Sequence, residues 1–129
     1  AIGQPDQRAG ELPCVYVELV DGASVTPDEL DQFCVETVKE KAALPKHVEI
    51  LDELPKTAVG KVFKPDLRKR AIIRVFSEAL NSSGINASIT SVDDDKKLGL
   101  VANILSNEEE ATINQVLGDF TIPWQRASN

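Results

Sequence analysis

Between Leu54 and Arg68 the chain is punctuated so closely that few backbones fit it. Pro55 fixes its own φ and holds Leu54 extended. Gly60 permits a turn that a side chain would oppose. Pro65 suits the first turn of a helix, where its missing amide hydrogen is not needed. With Val62 and Phe63 as a short strand, the segment reads as a loop that presents Lys61 and then enters a helix. The lysine is a compact charge on a flexible four-carbon stem, so the turn before it sets where that charge can reach. Taken alone, Gly60-Lys61 is also what a solvated surface lysine looks like. It is the run from Leu54 to Arg68 as a whole that narrows the reading.

The flanking segments supply the scaffold. Pro13 to Val20 is rich in β-formers and nearly continuously apolar, which predicts a central strand covered on both faces. Asp21 to Ser24 is turn chemistry. Thr26 caps a helix, Pro27 takes its first position and Glu29 completes a capping box. Leu30, Phe33, Cys34, Val38 and Ala42 share one face of that helix and are expected in the core. The helix ends by Leu44, ahead of Pro45. Lys46 to Leu51 reads as a second strand. His47, the only histidine, has no cysteine or acidic partner at ligand spacing and is assigned a structural or exposed role. After the loop a helix runs from Pro65 to about Ser82, with Ile72, Val75, Phe76, Ala79 and Leu80 as its buried stripe, and Gly84 breaks it.

Beyond Gly84, Asn86 to Val92 alternates as a strand. Asp93-Asp94-Asp95 reads as a turn; a calcium loop would need a glycine and a distal glutamate that are missing. Lys97 to Leu105 is the return strand. Asn107 caps a helix opened by Glu108 to Glu110, whose charges suit a helix N-terminus, with Ile113, Val116 and Leu117 inside. Thr121-Ile122-Pro123 adds a short edge strand. The expected fold class is α+β: a small mixed β-sheet flanked by helices, with an extra C-terminal ββαβ-like element.

The formal net charge is -7 over 129 residues, unevenly placed. Lys56, Lys61, Lys64, Arg68, Lys69, Arg70 and Arg74 stand together with Asp66 as their only acidic neighbour. An acidic body repels a phosphate backbone, so nucleic-acid binding is not expected. The basic stretch suits a small phosphorylated ligand, or is a solvated helix face. No apolar run approaches the ~18 residues of a membrane span. Cys14 and Cys34 read as free thiols, and no signal peptide is visible, so a cytoplasmic location is expected. No metal ligand set is apparent.

Pro55-Lys56-Thr57, Gly60-Lys61 and Leu67-Arg68 together resemble the C-terminal signature of the adenylate-forming enzymes, the acyl-CoA synthetase and AMP-binding family. Ile2-Gly3-Gln4-Pro5-Asp6 and Gly10-Glu11 resemble two further segments of that family, which normally come after an apolar strand. The resemblance covers roughly residues 2–70, and the string from Thr57 to Pro65 is most similar to bacterial fatty-acyl-CoA synthetases. It implies a lid domain over residues 1–70, truncated at its N-terminus, with residues 71–129 as an α+β C-terminal extension packed on it.

The resemblance also implies a reaction. A carboxylic (fatty) acid is activated with ATP to an acyl-adenylate, and the acyl group then passes to the thiol of coenzyme A. A large N-terminal adenylation domain holds ATP, the acid and magnesium, and the small C-terminal domain closes over it and supplies a lysine. By this resemblance Lys61 is the catalytic residue, Thr57 and Gly60 shape its loop, and Lys64 and Arg68 are candidate contacts to phosphate or coenzyme A. Val59 stands where the family has Thr or Ser, which puts a hydroxyl contact there in doubt. The phosphate loop, adenine pocket, acyl tunnel and hinge of the family fall outside these residues. The sequence therefore reads as a fragment of a longer protein, inactive alone, to which ATP, coenzyme A and magnesium are not expected to bind tightly. The competing reading is a binding module: the C-terminal part senses a small ligand or mediates dimerisation, and the basic stretch docks phosphates without catalysis.

Overall fold

The computed structural model of the chain describes residues 1–20, 22–37 and 44–127. In chain order the elements are β1 (Ile2–Asp6), β2 (Gly10–Glu18), α1 (Pro27–Thr37), β3 (His47–Leu51), α2 (Lys64–Ser82), β4 (Ala87–Asp95), β5 (Gly99–Ser106), α3 (Glu110–Leu117) and β6 (Trp124–Arg126). The strands form two three-stranded sheets, ordered β1-β2-β3 and β4-β5-β6. The architecture is α+β, and β4-β5-α3-β6 is the C-terminal ββαβ element. The chain divides into two compact units, Ala1–Gly3 with Leu12–Leu67, and Gln4–Glu11 with Arg68–Asn129.

In the first sheet β2 is central, as its apolar run predicts. Its burial is one-sided: Cys14 and Tyr16 are buried, while Val15 and Val17 are half-covered. The pairing of β2 with β3 is parallel, with Cys14 opposite His47 and Glu18 opposite Leu51. The segment Ile2–Asp6, expected to come after an apolar strand, is itself the strand β1. Asp6 turns the chain by accepting the amides of Arg8 and Ala9 at 3.0 and 2.9 Å, which is Asx-turn chemistry.

At α1 the predicted cap holds: the Glu29 amide donates to Thr26 Oγ1 at 3.1 Å. The predicted buried face does not. None of the described residues of α1 is buried, and Phe33 is 62% exposed. The helix packs on β3, and only Leu30 and Cys34, one turn apart, are partly covered. Phe33 lies off that line. Val38, Ala42 and the predicted end of the helix before Leu44 fall outside the described residues.

The second unit has one continuous core. Ile72, Phe76 and Leu80 of α2 meet Val92 of β4, Ala102 and Ile104 of β5, and Ile113 and Leu117 of α3, with Val75, Ala79 and Val116 packed against them. Each fully buried Val, Leu, Ile or Phe among them contributes about 1.5–3 kcal/mol by leaving water. Gly84 ends α2 at φ +73°. The Ile85 amide donates to Leu80 O at 3.0 Å and the Gly84 amide to Asn81 O at 3.1 Å. This is the paired bonding of a Schellman cap, with the usual apolar contact between Leu80 and Ile85.

Three further expectations are corrected. Asp93 to Asp95 are not a turn: β4 continues through them, with Asp93 opposite Val101 and Asp95 opposite Gly99. The turn is Lys96 to Leu98. Asp95 Oδ1 accepts the amides of Lys97 and Leu98 at 2.8 and 2.9 Å, and these bonds hold its carboxyl below the usual range. The cap of α3 is Glu109, without a side-chain bond, in place of Asn107. The final strand is Trp124–Arg126, three residues beyond Thr121-Ile122-Pro123, because parallel pairing with β5 sets Trp124 against Ala102. The buried Asn103 binds this sheet across all three strands. Its Nδ2 donates to Ser91 Oγ at 2.9 Å and Asp93 Oδ2 at 2.6 Å, and its Oδ1 accepts from Gln125 Nε2 at 2.6 Å.

Candidate functional site

The segment singled out by its prolines and glycine is a tight hairpin. Lys56 bridges Val62 in antiparallel fashion. The Thr57 amide donates to Lys61 O at 2.7 Å, and the Gly60 amide donates back to Thr57 O at 2.9 Å. Thr57 Oγ1 also accepts the Lys61 amide at 3.3 Å. Gly60 has φ +86°, the left-handed conformation that closes a three-residue hairpin loop. The base is anchored as well: the Phe63 amide donates to Pro55 O at 2.7 Å.

Glu18, at the end of β2, fixes the strand leading into this hairpin, and sequence reasoning missed it. One oxygen accepts the Leu54 amide at 2.8 Å and the other the Lys56 ammonium at 3.3 Å. The Leu54 bond first, and Lys56 second, hold the Glu18 carboxyl below its ordinary range. A lone acid inside an apolar strand was the available signal.

Thr57, Gly60 and Lys61 are brought together, with Thr57 bonding the turn and Gly60 supplying its backbone. Lys61 is exposed at the hairpin tip beside exposed Val59. Lys64 is the first residue of α2, and Arg68 stands one turn further along that helix, at the start of the second compact unit. The seven clustered cations divide sharply. Lys56 pairs with Glu18 at 3.3 Å and Lys69 with Asp94 at 3.5 Å. Arg74 donates to Gln4 Oε1 at 2.6 Å, and Arg70 is also engaged. The side chains of Lys61, Lys64 and Arg68 make no hydrogen bond or ion pair among the described residues, and all three are exposed. Of the motif's own cations, Lys56 is paired with Glu18, and Lys61 and Arg68 are uncommitted.

His47 is half-buried. It meets Tyr16 edge-on at 6.4 Å between ring centroids and bonds Glu49 Oε1 at 3.0 Å. That acidic partner, two residues along the same strand, was not anticipated, and the contact gives His47 a packing role. Neither Cys14, which is buried, nor Cys34 is in a disulfide among the described residues. No group of three His, Cys, Asp or Glu side chains able to hold a metal occurs among the described residues. Nor does any described helix have the length and apolarity to cross a membrane.

Residues 1–61 match the sequence model of the AMP-binding enzyme C-terminal domain. That part of the chain belongs to this family. The match ends at Lys61. Curated relatives extend the likeness. The chain is 42% identical over 96 residues to marinolic acid–CoA ligase of Pseudoalteromonas sp. (strain SANK 73390), covering 73% of this chain and 15% of the ligase. It is 38% identical over 71 residues to a putative acyl-CoA synthetase of Bacillus subtilis (strain 168), covering 55% and 13%. It is 44% identical over 72 residues to a probable acyl-activating enzyme 4 of Arabidopsis thaliana, covering 54% and 13%. No solved structure matches. The chain thus spans about a seventh of the length of the relatives it matches. The match to the marinolic acid ligase runs well beyond the length of the family domain.

Proposed function

We propose that the chain is the C-terminal lid domain of an ATP-dependent, AMP-forming acyl-CoA ligase, and that Lys61 serves its adenylation step. In that step a carboxylate oxygen attacks the α-phosphorus of ATP. The bond from α-phosphorus to the bridging oxygen breaks, and pyrophosphate leaves. Two anions must approach, and an ammonium placed between them offsets their repulsion and stabilises the charge of the transition state. Closure of a lid over the site excludes water and strengthens that effect. A lysine on a lid can also be withdrawn when the thiol of coenzyme A attacks the acyl carbonyl and AMP leaves.

The observation that carries this reading is the exposed, unpaired Lys61 at the tip of a hairpin whose backbone is closed by Gly60 and Thr57. A structural lysine would be committed to a carboxylate, as Lys56 is to Glu18. Lys64 and Arg68, also uncommitted, are assigned to the phosphates of ATP or coenzyme A. Magnesium is assigned to the partner adenylation domain; among the described residues no group of three His, Cys, Asp or Glu side chains could hold a metal ion. The acyl substrate is a fatty or related carboxylic acid, and its pocket is likewise assigned to the partner domain.

The test is Lys61→Ala in the ligase that carries this domain. Adenylate formation, measured as ATP–pyrophosphate exchange, should fall by about a hundredfold or more, the usual effect of removing a transition-state charge partner. Thioester formation from supplied acyl-adenylate should stay near wild type, and the thermal midpoint should not move, because Lys61 is exposed. Equal loss in both half-reactions would reject the assignment.

A further inference from the structure

The second compact unit contains a cavity that the adenylation chemistry does not use. It lies between α3 and β6 and has a volume of about 460 Å³, within the range of small-ligand sites. Its apolar wall is Phe120, Ile122 and Trp124, and its rim carries Glu110, Asn114 and Arg126. The wall is held in place. Trp124 Nε1 donates to Asn114 Oδ1 at 2.7 Å, which fixes the indole against α3. Phe120 stacks at a tilt on the fully buried Phe76, with 4.9 Å between centroids. The Ala102 amide donates to Pro123 O at 3.0 Å. An aromatic surface locked this way is organised before any ligand arrives.

The charges on the rim are of opposite sign and are not spent on each other. No ion pair joins Glu110 and Arg126, and the Glu110 carboxylate makes no hydrogen bond or ion pair among the described residues. Arg126 gives one donor to Ser106 O at 2.5 Å and one to Glu108 O at 2.9 Å. A guanidinium has five donors, so it is positioned by two carbonyls and keeps others for a ligand. A simple carboxylic acid would suit Arg126 but be repelled by Glu110, and a simple amine would meet the reverse. A ligand carrying both charges satisfies both groups and is selected against either half alone.

We infer that this cavity binds a zwitterion with an apolar body, an α-amino acid of hydrophobic side chain. Its carboxylate meets Arg126, its ammonium meets Glu110, and its side chain lies on Trp124 and Phe120. The site shares no residue with the Lys61 hairpin, and it stands or falls independently of the ligase reading.

Trp124 is the only tryptophan of the chain, so its fluorescence reports occupancy directly. The 129-residue chain is titrated with L-leucine, L-isoleucine and L-phenylalanine. Two truncated probes are titrated next, 4-methylpentanoate without the amine and 3-methylbutylamine without the carboxylate. A saturable change in emission is expected for at least one amino acid, with each truncated probe about tenfold weaker or worse, the effect of losing one charge-assisted bond. Glu110→Gln, at an exposed position, should leave the chain folded with at most a small drop in thermal midpoint from the lost first-turn charge, weaken amino-acid binding about tenfold and no longer penalise 4-methylpentanoate. Flat titrations with all three amino acids, or equal binding of whole and truncated probes, would overturn the proposal.

Discussion

A single backbone angle decides where Lys61 can reach. Gly60 sits at φ +86°, and a Cβ there would meet no atom within 4 Å. Any cost of adding one is therefore conformational, about 1–2 kcal/mol for a residue forced into the left-handed region. Gly60→Ala should lower the unfolding free energy by that amount in urea titrations, and reduce adenylate formation in the intact ligase by loosening the turn. Gly60→Asn should recover part of both, since asparagine enters this region far more readily than alanine. Identical behaviour of the two variants would mean that the angle does not set the loop. This part of the site was legible because Pro55, Gly60 and Pro65 restrict the backbone whatever surrounds them. The Glu18 anchor was not, since its partner Leu54 lies 36 residues away and a lone charge in a strand does not point to its mate. The same limit hid the α3–β6 cavity, whose opposed charges come from separate elements.

Helical spacing marked α1 and α2 alike, and packing separated them. The stripe of α2 is met by two strands and α3, so Phe76 is fully buried. The stripe of α1 is met by β3 and covers only Leu30 and Cys34 in part. Periodicity names the face of a helix but not whether a neighbour lies upon it. Phe76→Ala should therefore cost about 3–5 kcal/mol through cavity formation, read as a lower urea midpoint. Phe33→Ala in the same chain should stay within about 0.5 kcal/mol. A large loss from Phe33→Ala would show that its face is covered in solution. The aspartates of β4 carry the complementary lesson. Asp93 to Asp95 look like a turn by composition, but Asn103 and Lys69 offer Asp93 and Asp94 partners from β5 and α2. Long-range pairing then carries the strand past its apolar residues, and the order of elements stayed legible while their ends shifted.

At the scale of the molecule, a free ammonium is a small part of an adenylation site. In water, at a separation near 4 Å, it attracts an anion by only about 1 kcal/mol, and its effect grows severalfold where water is excluded. A large further share of the barrier can be overcome by holding carboxylate and α-phosphate in line, where well-oriented reactants reach effective concentrations of about 10⁵ M and above. On the proposed reading, Lys61 supplies the charge from the tip of an exposed hairpin. The chain corresponds to 15% of the marinolic acid ligase, and the rest of such a protein is the natural source of that alignment. Incubated with ATP, magnesium and a fatty acid, the 129-residue chain should therefore give no pyrophosphate exchange above a protein-free blank, while the ligase carrying the same domain exchanges readily. Exchange by the isolated chain that disappears in Lys61→Ala would place the whole adenylation site within it, and the division of labour argued from Lys61 would fail.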